Sequence, residues 1–192
     1  MADPTPFKVL GVSGSLRKDS YNTAALRAVQ ELAPAGMTVE IFDIGGFPLY
    51  NDDVRLGAGY PPVVAEFRAK IAASDAVLFA SPEYNYSISG VLKNALDWAS
   101  RPPDQPFNEK PVGIMGVSSG MLGTSRAQYH LRQCMVFLNA YPVNRPEVMI
   151  NMAKDKFDAQ GRLLDGATRG FVRDMLVSLA AWSRRLRAGD PT

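Results

Sequence analysis

Two uninterrupted apolar runs, Ala76-Val77-Leu78-Phe79-Ala80 and Pro111-Val112-Gly113-Ile114-Met115-Gly116-Val117, most narrow what this chain can fold into. A strand with one face in water alternates apolar and polar residues, whereas a strand apolar throughout needs cover on both faces. Phe7-Lys8-Val9-Leu10-Gly11-Val12 reads as a third buried strand, and Met37 to Ile44 alternates as a half-buried one. Tyr141 to Ile150 offers a fifth, which Pro142 and Pro146 place at a sheet edge or make irregular. Helical spacing fills the intervals. It is carried by Tyr21, Ala24, Ala25, Ala28, Val29 and Leu32, by Val63, Phe67 and Ile71, and by Ile88, Val91, Leu92, Ala95, Leu96 and Ala99. Two further helices are expected, from about Thr124 to Ala140 and from about Ala167 to Arg187, the last with Phe171, Met175, Leu176, Leu179 and Trp182 inward. Gly45 to Pro62 reads as a long structureless loop, and Met152 to Asp165 as a polar one. Strands alternating with helices predict an α/β fold, a parallel sheet with helices on both faces. With 192 residues and no linker or repeat, one domain over 1–192 is expected.

In such a sheet a ligand sits beyond the carboxyl ends of the strands, so the segments after each strand carry the functional reading. After the first strand runs Gly11-Val12-Ser13-Gly14-Ser15-Leu16-Arg17-Lys18-Asp19-Ser20-Tyr21-Asn22-Thr23. Its end opens a helix, whose first amides and dipole favour an anion. Ser15, Ser20, Asn22 and Thr23 add side-chain donors, and Arg17 adds a planar fork. Ser20 also suits an N-cap, which by itself leaves the other donors unexplained. Neither Gly-x-x-x-x-Gly-Lys-Ser/Thr nor Gly-x-Gly-x-x-Gly is present, so a phosphate monoester fits better than a triphosphate or a dinucleotide. After the third strand, Pro82, Glu83, Tyr84, Asn85 and Tyr86 combine aromatic faces with polar edges suited to a flat heteroaromatic ring. After the fourth, Ser118, Ser119 and Gly120, with Gly123, let backbone approach such a ring. A flat ring, a polar tether and a terminal phosphate describe flavin mononucleotide, FMN; Tyr84 and Tyr86 read equally as ordinary loop tyrosines packing onto neighbouring elements.

Composition removes several other classes. A net charge of +2 without a basic run gives nothing for nucleic acid to bind. One cysteine, Cys134, and one histidine, His130, exclude a disulfide framework within the chain and leave little for a metal site. Both lie in an expected helix, where His130 reads as a packing or interface residue and Cys134 as helix core. The start, Met1-Ala2-Asp3-Pro4-Thr5-Pro6, has no basic patch or apolar leader segment, and no apolar run is long enough to span a bilayer, so a cytoplasmic protein is expected.

Gly14-Ser15-Leu16-Arg17-x-x-Ser20-x-Asn22, with Pro82-Glu83-Tyr84-Asn85-Tyr86-Ser87-x-x-x-Gly90-x-Leu92-Lys93-Asn94-Ala95-Leu96-Asp97-Trp98, resembles the NADPH-dependent FMN reductase family, and within it the bacterial quinone and chromate reductases. The resemblance implies a flavodoxin-like three-layer fold with a five-stranded parallel sheet in the order 2-1-3-4-5. It also implies bound FMN, NAD(P)H as co-substrate, and two-electron ping-pong reduction of quinones and often of chromate, azo or ferric acceptors. By motif, Ser15, Arg17, Ser20, Asn22 and Thr23 would hold the FMN phosphate. Pro82, Glu83, Tyr84, Asn85 and Tyr86 would line the ribityl chain and ring, with the Asn85 N–H near flavin N5. Ser118, Ser119 and Gly120 would meet the pyrimidine end. No residue is assigned as a catalytic acid or base and no metal is implied, while Lys93, Asn94 and Asp97 read as capping and packing residues. A homo-oligomer, dimer or tetramer, is further implied, with the helix from Thr124 buried by a second copy and Arg126, Tyr129 and Glu147 as candidate polar contacts. The same fold also hosts flavodoxin-type electron carriers and flavin redox sensors that act with a protein partner. Carriers of that kind are acidic, and this chain is slightly basic.

Overall fold

The computed structural model describes residues 6–189, so Met1–Thr5, read as part of a leaderless start, lie outside the described residues. β1 (Phe7–Ser13), α1 (Tyr21–Leu32) and β2 (Met37–Phe42) lead into α2 (Asp52–Ala58), α3 (Pro62–Ala73) and β3 (Ala76–Ala80). The chain continues through α4 (Gly90–Ala99), β4 (Pro111–Val117), α5 (Ser125–Phe137), β5 (Tyr141–Pro142), β6 (Val148–Ile150), α6 (Ala153–Lys156) and α7 (Gly166–Ala188). All strand pairs are parallel, in the order β2-β1-β3-β4-β5, with β6 also on β4. The expected fifth strand is thus two short pieces on one edge. Tyr141 pairs with Pro111 near the start of β4 and Val148 with Met115 near its end, and the chain between them, with Pro146, leaves the ladder.

Side chains alternate across a strand, and each apolar run therefore feeds two cores. Val9, Leu78, Met115 and Val117 pack under α1 and α7, together with Leu26, Val172 and Leu176. Leu10, Val12, Val77, Phe79 and Ile114 pack under α3, α4 and α5, together with Phe67, Leu92 and Leu131. Each large apolar side chain buried this way contributes about 1.5–3 kcal/mol relative to exposure. That is why the strands are apolar on both faces, and why the layers are three.

Three sequence expectations change. Gly45 to Pro62 is not structureless. It contains α2, which has no buried residue and so leaves no apolar period to read. Its order comes from polar contacts: Asn51 caps Asp53 N, Arg55 Nε donates to Asp52 at 2.7 Å, and Tyr50 Oη donates to Asp52 at 2.7 Å. Within Met152 to Asp165 lies the single turn of α6 and a bridge between Phe157 and Leu163, both of them buried apolar residues. On α7, Phe171 points outward with 56% exposure, and Val172 takes the inward position. No helix among the described residues is long and apolar enough to cross a membrane.

Candidate active site

Strand order reverses between β1 and β3, and the segments after β1, β3 and β4 meet there. Gly14 joins the first two. Its N–H donates to Ala80 O at 2.9 Å, its carbonyl accepts from Ser89 Oγ at 2.6 Å, and a Cβ on it would lie 3.0 Å from Pro82 Cδ. Ser89, the N-cap of α4, therefore fixes the helix start and the first loop together. Asn22 joins the first to the third. Its Nδ2 donates to Val117 O at 3.1 Å and its Oδ1 accepts from Val117 N at 2.9 Å, so a buried amide continues the hydrogen bonding of β4 into α1. Gly116 leaves room for the last junction, since a Cβ there would run into Thr124 Oγ1 and Ser81 O.

Ser20 caps α1, its Oγ accepting from Asn22 N at 3.2 Å and Thr23 N at 3.4 Å. Thr23 Oγ1 donates to the buried Ser13 Oγ at 2.9 Å, and Ser15 Oγ accepts from Arg17 N at 3.4 Å. The amides of Leu16, Lys18 and Asp19 and the guanidinium of Arg17 have no partner among the described residues, and all four residues are exposed. Unpaired amides, an open arginine fork and a helix start in one loop make a cradle for an anion.

After β3 the chain makes a tight turn. Tyr84 N donates to Ser87 O at 3.0 Å and Ser87 N to Tyr84 O at 2.9 Å, with positive φ at Asn85 (50°) and Tyr86 (67°). Two positive φ values between the paired residues are those of a type I′ turn, natural for asparagine and strained for tyrosine by about 1–2 kcal/mol. Tyr84, Asn85 and Tyr86 are exposed. Glu83 turns the other way. Its Oε2 accepts from Arg126 N at 3.0 Å and Ala127 N at 3.1 Å, and its Oε1 from Arg126 Nε, so it caps α5, which has no side-chain cap from Thr124. The ion pair leaves the Glu83 side chain 7% exposed. Arg126 also lies 3.6 Å from the Tyr86 ring centroid, and His130 Nδ1 is 3.0 Å from Ser87 Oγ.

After β4, Ser118 Oγ donates to Gly123 O and accepts from Gly120 N at 3.2 Å, shaping its own loop. Gly123 needs its φ of 62° and its missing side chain to pass Met149. Ser119 and Gly120 are exposed, and Met121 (81% exposed) forms an apolar rim.

Of the residues singled out in sequence, Ser15, Arg17, Ser20 and Thr23 come together at α1, while Tyr84, Asn85, Tyr86, Ser119 and Gly120 lie exposed on the segments after β3 and β4. Asn22, Glu83 and Ser118 spend their side chains on the scaffold, and Pro82 packs on Gly14. Tyr129 Oη donates to Glu147 within the chain at 3.0 Å, and that carboxylate pushes the phenol above its ordinary value. Asn94 and Trp98 of the motif helix both donate to Pro48 O, at 2.9 and 2.8 Å, and Asn94 Oδ1 accepts from Tyr50 N, so they anchor the segment before α2. Lys93 and Asp97 form an exposed ion pair along α4. Burial raises the pKa of the half-buried Cys134 thiol, which keeps it a poor nucleophile. The sequence suggests only packing or an interface for His130, and the structure brings it to the turn after β3. Its i, i+4 spacing from Arg126, on the helix that follows the third site loop, was the available signal.

Residues 7–155 match the family described as NADPH-dependent FMN reductase. The chain belongs to this family. It is 60% identical over 181 residues to an NAD(P)H-dependent FMN reductase of Pseudomonas aeruginosa, covering 94% of this chain and 97% of that one. It is 46% identical over 186 residues to an NADPH:quinone oxidoreductase of Arabidopsis thaliana, covering 94% of each. Among solved structures, the flavoenzyme NAD(P)H:(acceptor) oxidoreductase FerB of Paracoccus denitrificans superposes with a TM-score of 0.84 at 34% identity, covering 93% of this chain and 97% of that one. The sheet order is the flavodoxin-like one, and the open Arg17 fork beside unpaired amides fits the phosphate of FMN.

Proposed function

We propose that this chain is an FMN-dependent NAD(P)H oxidoreductase that reduces quinones by two-electron transfer, with chromate, azo dyes and ferric complexes as further acceptors. One observation carries the reading. The anion cradle at the start of α1 and the aromatic turn after β3 are held on one edge by buried contacts through Gly14, Asn22 and Gly116. Ser15, Arg17, Ser20, Thr23 and the amides of Leu16, Lys18 and Asp19 would hold the phosphate. Asn85 would direct its N–H at the ring near N5, Pro82, Tyr84 and Tyr86 would border the ring and ribityl chain, and Ser119 and Gly120 would meet its pyrimidine end. Asn22, Glu83 and Ser118 contribute by fixing the loops. The chemistry such a group supplies when bound is acceptance of a hydride from NAD(P)H and delivery of two electrons to an acceptor. Tyr84 and Tyr86 then border a stacking space that donor and acceptor occupy in turn, the spatial condition for ping-pong kinetics. No side chain is assigned as general acid or base.

The same proposal makes residues 1–192 one cytoplasmic FMN-binding domain and the working form a homo-oligomer, dimer or tetramer. It is supported by Val136 and Phe137 at the end of α5, which are 81% and 80% exposed. The test is a visible spectrum of the purified protein with FMN, before and after anaerobic NADPH. Flavin bands that vanish and return with benzoquinone are expected. Bound flavin that stays oxidised would indicate an electron carrier, and no flavin binding would sink the site assignment.

A further inference from the structure

Arg126 and His130 stand one helical turn apart on one face of α5, and both reach the Tyr84–Ser87 turn. The contacts are different in kind. Arg126, held by Glu83, lays its guanidinium on the ring of Tyr86, while His130 shares a hydrogen bond with Ser87 at the end of the turn. Glu83 supplies a third link, since its carboxylate binds the first amides of the same helix. A tyrosine at positive φ does not hold that shape by itself, and Tyr86 is 66% exposed. Without a neighbour, its ring would sample several rotamers and lose that freedom each time a planar molecule stacked on it.

We infer that Arg126 and His130 are positioning residues: α5 sets the shape of the turn, and Arg126 covers one face of Tyr86 so that the other stands ready as the stacking wall for nicotinamide and quinone. This rests on the reductase reading above. The arrangement favours flat partners, because a ring backed by a cation is already held in place and loses less freedom on binding.

The experiment uses the FMN-loaded protein and the variants Arg126→Met, Arg126→Lys, Tyr86→Leu and the double variant Y86L/R126M. In R126M, KM for NADPH and for benzoquinone should each rise about tenfold, with kcat and FMN affinity within about twofold of wild type, and Y86L should raise both KM values by a similar factor. The double variant should be no worse than either single one, because both remove the same contact, and R126K should recover part of the loss. Amide exchange at Tyr84 and Ser87 reads the turn without turnover, and it should quicken about tenfold in R126M and in His130→Ala. Unchanged KM, effects that multiply in the double variant, or exchange rates equal to wild type would each overturn the inference. Should R126M fail to fold, R126K and Y86L decide, since neither removes the cation from α5. A wild-type protein that NADPH cannot bleach would sink the reductase reading. A wild type that bleaches normally while R126M keeps its KM would sink only this one.

Discussion

Asn22 and Arg17 share a loop and look interchangeable as phosphate donors in the sequence, yet they do different work. The Asn22 amide is spent at both ends on Val117, a residue 95 positions away, and it is buried. The Arg17 fork is exposed and unpaired among the described residues. Arg17→Ala should therefore weaken FMN about tenfold to a hundredfold, the worth of charge-assisted hydrogen bonds, and leave riboflavin affinity unchanged. Asn22→Ala should instead lower the stability of the flavin-free protein by about 2–4 kcal/mol, because Val117 N–H and C=O lose buried partners. Fluorescence titration with FMN and riboflavin, beside urea unfolding of the apoprotein, separates the two. Loss of FMN affinity in N22A with unchanged apoprotein stability would return Asn22 to the phosphate. The sequence made the donors legible because hydroxyls, an amide and an arginine crowd one turn. It could not say which of them the fold consumes, because the consumers, Val117 for Asn22 and α5 for Glu83, lie on strands and helices far along the chain.

The elements were legible in proportion to what they bury. β3 and β4 are apolar on both faces because each faces two cores, and α4 shows its period because Leu92, Ala95, Leu96 and Ala99 all point inward. α2 buries nothing and was invisible for that reason. Helix ends depend on single polar residues, and α7 shows how that can be tested. Asp165 caps it by accepting from Thr168 N at 2.9 Å and from the Thr168 hydroxyl. These bonds, the side-chain one first, hold the Asp165 carboxyl below its ordinary value. A carboxyl whose folded pKa is depressed adds stability that is complete above the unfolded pKa, about 3.9, and is lost as pH falls through the lower folded value. Asp165→Ala should cost about 1 kcal/mol at neutral pH, and its deficit should shrink as the solution is acidified below about pH 4. Asp165→Asn, which also caps, should keep most of the stability and flatten this part of the acid limb. Thermal melts across that range check both. A D165A deficit that stays constant into acid would remove the cap as its cause.

At the scale of the whole molecule, α5 carries two loads. Its inner face, with Leu131 and Met135, closes one core, and its polar residues Arg126 and His130 brace the turn after β3. Its outer end presents Val136 and Phe137 to solvent, more apolar surface than a helix in water needs to show. A second copy of the chain covering that end would stiffen the same helix that holds the turn, so assembly and substrate binding would be linked through α5. Sedimentation equilibrium at micromolar concentration should give a mass of two or four times 20.9 kDa. Val136→Glu with Phe137→Glu, two charges placed where neither side chain supports the core, should move the mass toward a single chain. A wild-type protein that sediments as one chain would end the oligomer proposal outright. A monomeric variant that keeps its KM for NADPH and benzoquinone would show that one copy of α5 holds the turn by itself, whereas a raised KM with unchanged FMN affinity would place the subunit contact in the path that shapes the stacking wall.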